Sequence, residues 1–445
     1  MIKDEIKLSD HFTYKRLLRF TLPSVIMMIF TSVYGVVDGF FVSRFAGKEA
    51  FTAVNFIMPY LMLLGAVGFM FGAGGSALVA KTLGEGKRDK ANRTFSLIVY
   101  TSIAISVLFT VLGIILLRPV AELLGAEGRL ADDCVIYGRI ILAALPFFIL
   151  QCEFQTLFIT AEKPKLGLLV TVASGVANIV LDALLVGALS LGLVGAALAT
   201  AASQIIGGAI PLVYFSRKNS SLLSLTRTSL DFKALVRTCT NGSSELMSNV
   251  ALSIISMLYN MRLMEYAGED GVAAYGVLMY VGFIFISIFI GYSTGTAPVV
   301  GYHYGAGNKT ELSGLLKKSL VLVFSVSLLM LGSSLVLSRP LSMIFVGYDE
   351  GLYELTVRGF TFFSFTFLFS GVAFFGSAFF TALNNGLISA VISFLRTLVF
   401  QVIAVLLLPL VWGVDGIWLS IVVADLFSAL ITALFLLCQR KRYGY

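Results

Sequence analysis

Apolar runs of about 20 residues recur along the whole chain, and charged or glycine-rich breaks separate them. Hydrophobic residues make up 58% of the 445 residues and charged residues only 13%, whereas about a quarter of the residues in a soluble domain are charged. This surplus of apolar surface must face lipid. Because barrel strands would alternate apolar and polar residues, the continuous runs predict membrane-spanning α-helices.

Twelve such runs can be placed, six in each half of the chain. They predict an all-α polytopic membrane protein with twelve transmembrane helices in two pseudo-symmetric six-helix lobes. The predicted lobes are 1–215 and 234–445, joined by a basic, serine-rich cytoplasmic linker at 216–233. The predicted spans are 16–42, 51–80, 94–117, 134–159, 166–187, 192–215, 235–263, 272–300, 315–338, 352–381, 388–410 and 415–438.

Lysine and arginine are unequally divided between the two sides of such a bundle. Of the 32 cations, 23 lie on the side that holds both termini, eight lie on the opposite side and Arg396 lies within a span. The positive-inside rule therefore predicts a multi-pass protein of the plasma (inner) membrane with both termini cytoplasmic. Since the net charge of +7 comes from these short clusters, no nucleic-acid partner is expected.

The two halves match each other at one constant offset, called here the repeat offset, which is almost half the length of the chain. The matched positions that define it include Gly74 with Gly295, Gly84 with Gly305, and Arg118-Pro119 with Arg339-Pro340. Because each half has an even number of spans, the halves share one orientation and are related by an axis along the membrane normal. Such an architecture places a cavity between two lobes, and rocking of the lobes gives alternating access.

Polar stripes at helical spacing mark the first, fifth and sixth spans. Their carboxylate, amide and hydroxyl oxygens suit a hard cation or a proton. Small hydroxyls often only hold helices together, but a carboxylate at membrane depth is a costly way to make one hydrogen bond, which favours a functional role for the two acids. The stripes are Tyr34 and Asp38 in the first span, Thr171, Ser174, Asn178 and Asp182 in the fifth, and Thr200, Ser203 and Gln204 in the sixth.

Other polar residues at membrane depth give weaker signals. For Glu245, near the cytoplasmic end of the seventh span, a solvated or capping role is an equal alternative. Arg396 and Asp425 could pair structurally, and His303 suits a structural role in a loop better than pH sensing. The predicted cavity-lining residues are Gln151, Glu153, Gln155, Ser174, Gln204, Glu245 and Asn249.

Zinc-protease and ATP-binding motifs are missing from the sequence, which contains no HExxH and no GxxxxGK[ST]. Its single GxSxG match, GYSTG at Gly291 to Gly295, lies within the predicted span 272–300 and not at the strand-to-helix turn of a hydrolase nucleophile. The sequence therefore predicts neither an enzyme nor an ATP-driven pump, and no cofactor is expected.

Four segments carry a family resemblance. They are VVDGFFVSRFAG (Val36 to Gly47), NIVLDALLVGALSLGLVGAALATAASQ (Asn178 to Gln204), TGTAPVVGYHYGAGNK (Thr294 to Lys309) and GVDGIWLSIVVAD (Gly413 to Asp425). In sequence and order they resemble the multidrug and toxic compound extrusion (MATE) family of the MOP flippase superfamily, and most of all its DinF-like branch. The resemblance extends over nearly the whole chain.

The resemblance implies export of cationic or amphipathic organic compounds by an antiporter that uses a Na⁺ or H⁺ gradient. We expect the protein to be a monomer. In the DinF-like branch the coupling site lies in the N-terminal lobe, and the matching positions here are Tyr34, Asp38, Asn178, Asp182 and Thr200. If the coupling ion is Na⁺, the resemblance implies that Asp38, Asn178, Asp182 and Thr200 bind it. Two alternatives stay open: a flippase for a lipid-linked precursor, and a channel or membrane scaffold without ion coupling.

Overall fold

The computed structural model describes residues 6–445, and all regular structure among them is helical. The helices through the linker are α1 (Tyr14–Ala46), α2 (Lys48–Gly84), α3 (Arg88–Leu123), α4 (Gly128–Thr160), α5 (Pro164–Ala188) and α6 (Gly192–Ser216). The later helices are α7 and α8 within Phe232–Gly305, α9 (Lys309–Val346), α10 (Glu350–Ser364 and Phe367–Ala382), α11 (Gly386–Trp412) and α12 (Val414–Tyr443).

Two irregular helical segments decide the number of membrane spans, which is twelve. The 74-residue segment Phe232–Gly305 is long enough for two spans, and its backbone leaves helical geometry at Gly268, where φ is 63°. It therefore divides into α7 (232–267) and α8 (269–305). The two parts of α10 are bent by 49° and together form one apolar span. The prediction of twelve transmembrane helices is confirmed.

The outward faces of the helices are largely apolar, and many small polar side chains are buried between helices. In α9, Phe324 and Leu329 are 55% and 71% exposed, whereas Ser327 and Ser334 are fully buried. The Ser334 hydroxyl lies 2.7 Å from that of Ser364 in α10. Because the outward faces are apolar and the hydroxyls bond between helices, the bundle is built to be surrounded by lipid.

The two lobes touch through glycines on the face that carries both chain termini, called here the terminal face. A Cβ placed on Gly84 of α2 would lie 1.9 Å from the carbonyl oxygen of Tyr302 in α8. A Cβ on Gly305 of α8 would lie 2.0 Å from the carbonyl oxygen of Lys81 in α2. The two contacts are related by the repeat offset, so the repeated glycines let the two backbones meet symmetrically.

Further contacts close the terminal face. A Cβ on Gly74 would lie 2.0 Å from the carbonyl oxygen of Thr238 in α7. The Asn384 amide donates to the carbonyl oxygen of Ala77 at 3.2 Å and accepts from the Asn241 amide at 2.8 Å. The Asn384–Ala77 bond crosses from the C-terminal lobe to α2 and Asn241 supports Asn384 within its own lobe, so the lobes are sealed together on this side.

On the opposite face the lobes diverge and leave a cleft of about 950 Å³. It lies between the first half of α2 and the second half of α7. Its walls are lined by Asn55, Pro59, Leu252, Ser253, Ser256, Met257, Asn260, Met261, Met264 and Val272. The molecule is therefore open on the face opposite its termini.

The segment before α1, residues 6–13, bridges the lobes at the terminal face and is called here the tail. The Leu8 amide donates to Glu162, in the α4–α5 corner of the N-terminal lobe, at 2.6 Å. The Phe12 amide donates to Glu311, in the first turn of α9, at 2.8 Å, and the Glu311 carboxylate also lies 2.6 Å from His11 Nδ1. Leu8 and Phe12 are fully buried, so the tail joins both lobes by polar and apolar contacts.

His303 packs against the tail. Its ring is 3% exposed and packs edge-on against Phe12, with 6.3 Å between ring centroids. The Lys318 ammonium donates to the Phe12 carbonyl. His303 is thus part of the packing around the tail, in line with the structural role that the sequence favoured.

Gly84→Ala and Gly305→Ala are expected to weaken the seal at the terminal face. The new methyl group would overlap a backbone carbonyl that cannot move aside, and overpacking of this kind costs about 1–3 kcal/mol. Spin labels at Leu189 and Tyr348, on the opposite face of each lobe, should then report a larger population with short label–label distances. Gly276→Ala is the matched control, because a Cβ there meets nothing within 4 Å. Equal distance distributions in all three variants would contradict this account of the glycines.

Glu311→Ala is expected to loosen the tail. It removes a charge-assisted hydrogen bond worth about 1.5–3 kcal/mol, so hydrogen exchange at the Phe12 amide should accelerate about tenfold or more. Glu311→Gln keeps an acceptor oxygen and should have a smaller effect, and Glu122→Ala, on the opposite face, should have none. Unchanged protection of residues 8–13 in Glu311→Ala would show that the tail is held by other contacts.

Candidate functional site

The structure brings the five predicted coupling residues together inside the N-terminal lobe. The Asp38 carboxylate of α1 interacts with the side chains of Asp182 and Asn178 in α5 and of Thr200 in α6. Tyr34, one turn before Asp38, interacts electrostatically with it. Three helices that are separate in sequence thus present one cluster of oxygens, called here the acidic pocket.

Polar atoms of the acidic pocket are buried and incompletely bonded. Asp182 is fully buried and Asn178 is 2% exposed. Both carboxylate oxygens of Asp182, one of Asp38 and the amide nitrogen of Asn178 have no well-aligned hydrogen-bond partner. An unsatisfied buried carboxylate is costly, so the pocket is suited to a cation or proton that would complete it.

The donor set fits a small monovalent cation as well as a proton. Two carboxylates, an amide and hydroxyl groups supply hard oxygen ligands. In the described part of the chain no three His, Cys, Asp or Glu side chains cluster to hold a metal ion. A bound Na⁺ would therefore rest on two charged and several neutral oxygens, whereas a proton would need only the two carboxylates.

Widened helical turns adjoin both acids. α1 ends in a π-helical turn at Val42–Ala46, and the Val42 amide donates to the carbonyl of Asp38. α5 changes to π-helix at Asp182–Ala188, so Asp182 is the first residue of that segment. π-Helical segments are frequently found at functional sites. Each acid thus lies at or near the point where its helix changes pitch.

Tyr137 of α4 is a pocket residue that the sequence analysis missed. Its hydroxyl interacts with Thr200 and lies in the electrostatic field of Asp38 and Asp182. The side chain is 2% exposed. Among the many aromatic residues of a membrane protein it carried no distinguishing signal, although it precedes the predicted Gln151 by about four turns of one helix.

A small cavity of about 40 Å³ lies beside the acidic pocket, with room for about two or three water molecules. Tyr137, Thr200 and Gln204 supply its polar wall, and the remaining lining is apolar. Gln204, one of the predicted cavity-lining residues, lies in the wall of this small cavity. The cavity offers water to groups that are otherwise enclosed by apolar side chains.

The other predicted cavity residues of this lobe fall into two groups. The Gln151 amide donates to the Ser174 hydroxyl at 3.3 Å, which donates to the carbonyl of Ser203 at 2.7 Å, so these side chains tie α4, α5 and α6 together. Glu153 is fully buried and interacts with Ser102 of α3. Glu153 and the half-buried Gln155 are absent from the described walls of both the small cavity and the cleft.

A second group of buried charges lies in the C-terminal lobe. Arg396 is 8% exposed, stacks on the Phe374 ring at 3.6 Å and interacts electrostatically with Glu245 and Asp425. Asp425 accepts a hydrogen bond from Thr366 at 2.7 Å. The described side chains of Arg396 and Asp425 form no direct ion pair, so their predicted pairing is electrostatic at most.

Glu245 and Asn249, also predicted to line a cavity, lie half-buried in α7. The Asn249 amide donates to the backbone carbonyl of Glu245 at 2.8 Å. Neither residue belongs to the described lining of the cleft, which begins farther along α7. Both residues thus lie on α7 between the terminal face and the cleft.

These features define a class of protein: a two-lobed, twelve-span membrane bundle with a cleft between the lobes and a buried acidic pocket in one of them. Bundles of this kind transport solutes by alternating access. The MatE family model matches residues 23–184 and again residues 246–407, once in each half. The chain belongs to the MatE family of membrane transporters, and the resemblance seen in the sequence is confirmed.

Individual relatives are distant but cover the full length. The chain is 24% identical over 437 residues to the multidrug export protein MepA of Staphylococcus haemolyticus, covering 96% of this chain and 94% of the relative. A solved structure of MATE in complex with MaL6 superposes with a TM-score of 0.94 at 21% identity, covering 99% of both chains. An outward-facing multidrug resistance MATE transporter of the MOP superfamily superposes at 0.93, with 21% identity and 99% of both chains covered.

Tyr137→Phe is expected to weaken ion occupancy of the acidic pocket. The loss of one buried hydroxyl contact to Thr200 corresponds to about 0.5–1.5 kcal/mol, or a roughly 2- to 12-fold higher half-saturating ion concentration. The measurement is transport rate against Na⁺ concentration and against pH. Tyr100→Phe, 45% exposed on α3, is the control. A shift of the same size in both variants, or none in Tyr137→Phe, would remove Tyr137 from the pocket.

Proposed function

We propose that this protein is a secondary active exporter that moves cationic or amphipathic organic compounds out of the cell in exchange for Na⁺ or H⁺. The observation that carries the proposal is the pair of acids Asp38 and Asp182, in a lobe that borders an open cleft. Three of their four carboxylate oxygens are buried without a well-aligned hydrogen-bond partner. A relative that covers nearly the whole chain is named as a multidrug export protein, which supports export as the direction of transport.

Coupling follows from the chemistry of the acidic pocket. Two carboxylates that face each other in a low dielectric repel, and a bound proton or cation relieves the repulsion. Asp38 and Asp182 would share the ion, with Asn178 and Thr200 completing the oxygen shell. Because both acids adjoin π-helical turns, occupancy would change how α1, α5 and α6 pack.

Transport direction depends on which conformation the ion favours. A ligand shifts a conformational equilibrium only through its different affinity for the two states. Substrate would leave from the conformation in which the cleft is open. An ion that binds this conformation more tightly than the closed one would therefore favour outward release of the compound. Pro23, within α1, is a plausible bending point for the packing change.

The walls of the cleft support an amphipathic substrate. Met257, Met261 and Met264 lie at helical spacing on α7 and are 67%, 60% and 52% exposed. Methionine side chains adapt to ligands of different shape, and a stripe of them suits a broad substrate range. Asn55 and Asn260 add polar groups to the same walls.

Orientation and location complete the proposal. The protein would lie in the plasma membrane as a monomer, with the terminal face cytoplasmic as the distribution of lysine and arginine indicates. The cleft then opens outward. A flippase for lipid-linked precursors would need cations for the phosphate groups, and the described lining of the cleft contains no lysine or arginine.

Efflux of ethidium from proteoliposomes tests this function, with Na⁺ and H⁺ gradients imposed separately. We expect one gradient to accelerate efflux in the wild type and Asp182→Asn to lose at least about 90% of that acceleration. The uncharged Asn side chain can neither take up and release a proton nor balance the charge of Na⁺. Glu153→Gln is the control for the loss of a buried carboxylate elsewhere in the lobe, and it should keep the response.

Three outcomes would overturn the proposal. Gradient-driven transport by the double variant Asp38→Asn/Asp182→Asn would show that the acidic pocket does not couple transport. Wild-type protein that moves neither ethidium nor other organic cations under either gradient would favour the flippase. Substrate that equilibrates but never accumulates would identify a passive channel.

A further inference from the structure

A third cavity lies on the terminal face, outside the cleft and the acidic pocket. It measures about 670 Å³ and is formed by the start of α3 and the end of the linker before α7. Its lining is Gly86, Lys87, Arg88, Asp89, Lys90, Arg93, Thr94, Leu97, Thr228, Ser229 and Asp231. Four cations thus surround it against two acids, and it is called here the basic cleft.

The cations of the basic cleft differ in how far they are already bonded. Lys87 pairs with Glu85 at 2.9 Å, and the Arg88 guanidinium donates to the carbonyl oxygens of Ser221 and Leu222 at 3.2 Å. In the described part of the chain, the exposed Lys90 and Arg93 side chains have neither a hydrogen bond nor an ion pair. These two cations are available to an anion.

The acids of the basic cleft do not cancel this charge. Asp231 caps α7, because its carboxylate accepts the Ala234 amide at 3.1 Å. Asp89 lies in the first turn of α3, where a negative side chain interacts with the helix dipole. The Thr228 hydroxyl donates to the backbone carbonyl of Arg93 at 3.0 Å and fixes the linker wall against the helix. A positive, preformed cavity remains.

Apolar side chains at the rim indicate where the anion comes from. Leu230 and Phe232, on either side of Asp231, are 78% and 71% exposed. Large apolar side chains beside a cluster of cations are typical of a membrane interface, where they enter the acyl region while the cations meet headgroups. Binding of a free phosphate ion would not require exposed apolar side chains beside the cations.

The corresponding place in the other half is already filled. The repeat offset relates Lys90 to Glu311 and Asp231 to Asp10, so the tail before α1 corresponds to the linker before α7. There the Phe12 amide and His11 occupy the Glu311 carboxylate. The two halves therefore differ at this position: Glu311 accepts hydrogen bonds from its own chain, whereas Lys90 borders a basic cavity.

We propose that the basic cleft binds the headgroup of an anionic phospholipid of the cytoplasmic leaflet, with Lys90 and Arg93 at the phosphate and the acyl chains on Leu230 and Phe232. One lipid binds per chain, on the N-terminal half. The site is separate from the acidic pocket and from the cleft between the lobes. Basic pockets at the cytoplasmic ends of spans are where such headgroups are recognised.

Native mass spectrometry of the purified full-length protein tests the proposal, with phosphatidylglycerol and phosphatidylcholine added in turn. We expect one tightly retained phosphatidylglycerol and no retained phosphatidylcholine in the wild type. Lys90→Gln/Arg93→Gln should weaken phosphatidylglycerol binding about tenfold or more. Lys15→Gln/Lys317→Gln removes the same charge from exposed sites elsewhere on the terminal face and should leave binding unchanged. If both double variants weakened phosphatidylglycerol binding equally, the lipid would be attracted by the overall positive charge of the terminal face, and the proposed site would be wrong.

A second arm distinguishes lipid from a soluble phosphate. Leu230→Ser/Phe232→Ser should weaken phosphatidylglycerol binding and leave the four cations in place. Glycerol 1-phosphate, which has the headgroup charge without acyl chains, should fail to displace the lipid at millimolar concentration. Displacement by glycerol phosphate, together with unchanged lipid binding in the Leu230/Phe232 variant, would identify a site for soluble phosphates and overturn the lipid proposal.

Discussion

Close contact between two backbones at the terminal face determines the shape of the whole molecule. Helices that pack through large side chains stay about 8–10 Å apart, whereas Gly84 and Gly305 let α2 and α8 approach until a Cβ would overlap a carbonyl. Since the lobes meet there and along α7, they must diverge on the other side, and the cleft is the result. The tail adds hydrogen bonds from one chain segment to both lobes. Opening this face requires these contacts to separate together.

The acidic pocket lies in one lobe and not between the lobes. Asp38, Asp182 and their neighbours come from α1, α5 and α6, so an ion could bind there without contact with the C-terminal lobe. Its influence on the cleft must pass through the packing of those helices, and two π-helical segments, Val42–Ala46 and Asp182–Ala188, lie in them. The C-terminal lobe has a different set of charged residues at membrane depth. There Glu245 and Asp425 interact with the Arg396 guanidinium, which also stacks on Phe374. The two lobes are alike in fold and different in chemistry.

Much of the fold could be predicted from the sequence because lipid imposes strict rules. Length and hydrophobicity define the spans, and the repeat offset indicates two lobes in one orientation. Within the acidic pocket, helical spacing grouped Asn178 with Asp182, since residues one turn apart share a face. The role of Tyr137 could not be predicted, because an aromatic residue in an apolar span has the same pattern whether it packs in a core or borders an acid. Glu153 illustrates the reverse: its spacing suggested a cavity, but its helix turns it toward Ser102.

By itself the sequence determined that this chain spans a membrane twelve times, that its halves are repeated, and that a few acids lie where charge is expensive. These properties depend on local composition and on periodicity, which the order of residues states directly. The tertiary structure decided which acids meet, which face is sealed and which is open. It also decided that Glu311 is bonded by the tail while its counterpart, Lys90, borders the basic cleft. Such outcomes depend on contacts between residues up to about 300 positions apart, and the distance between helices that makes them possible is set by side-chain size at every crossing.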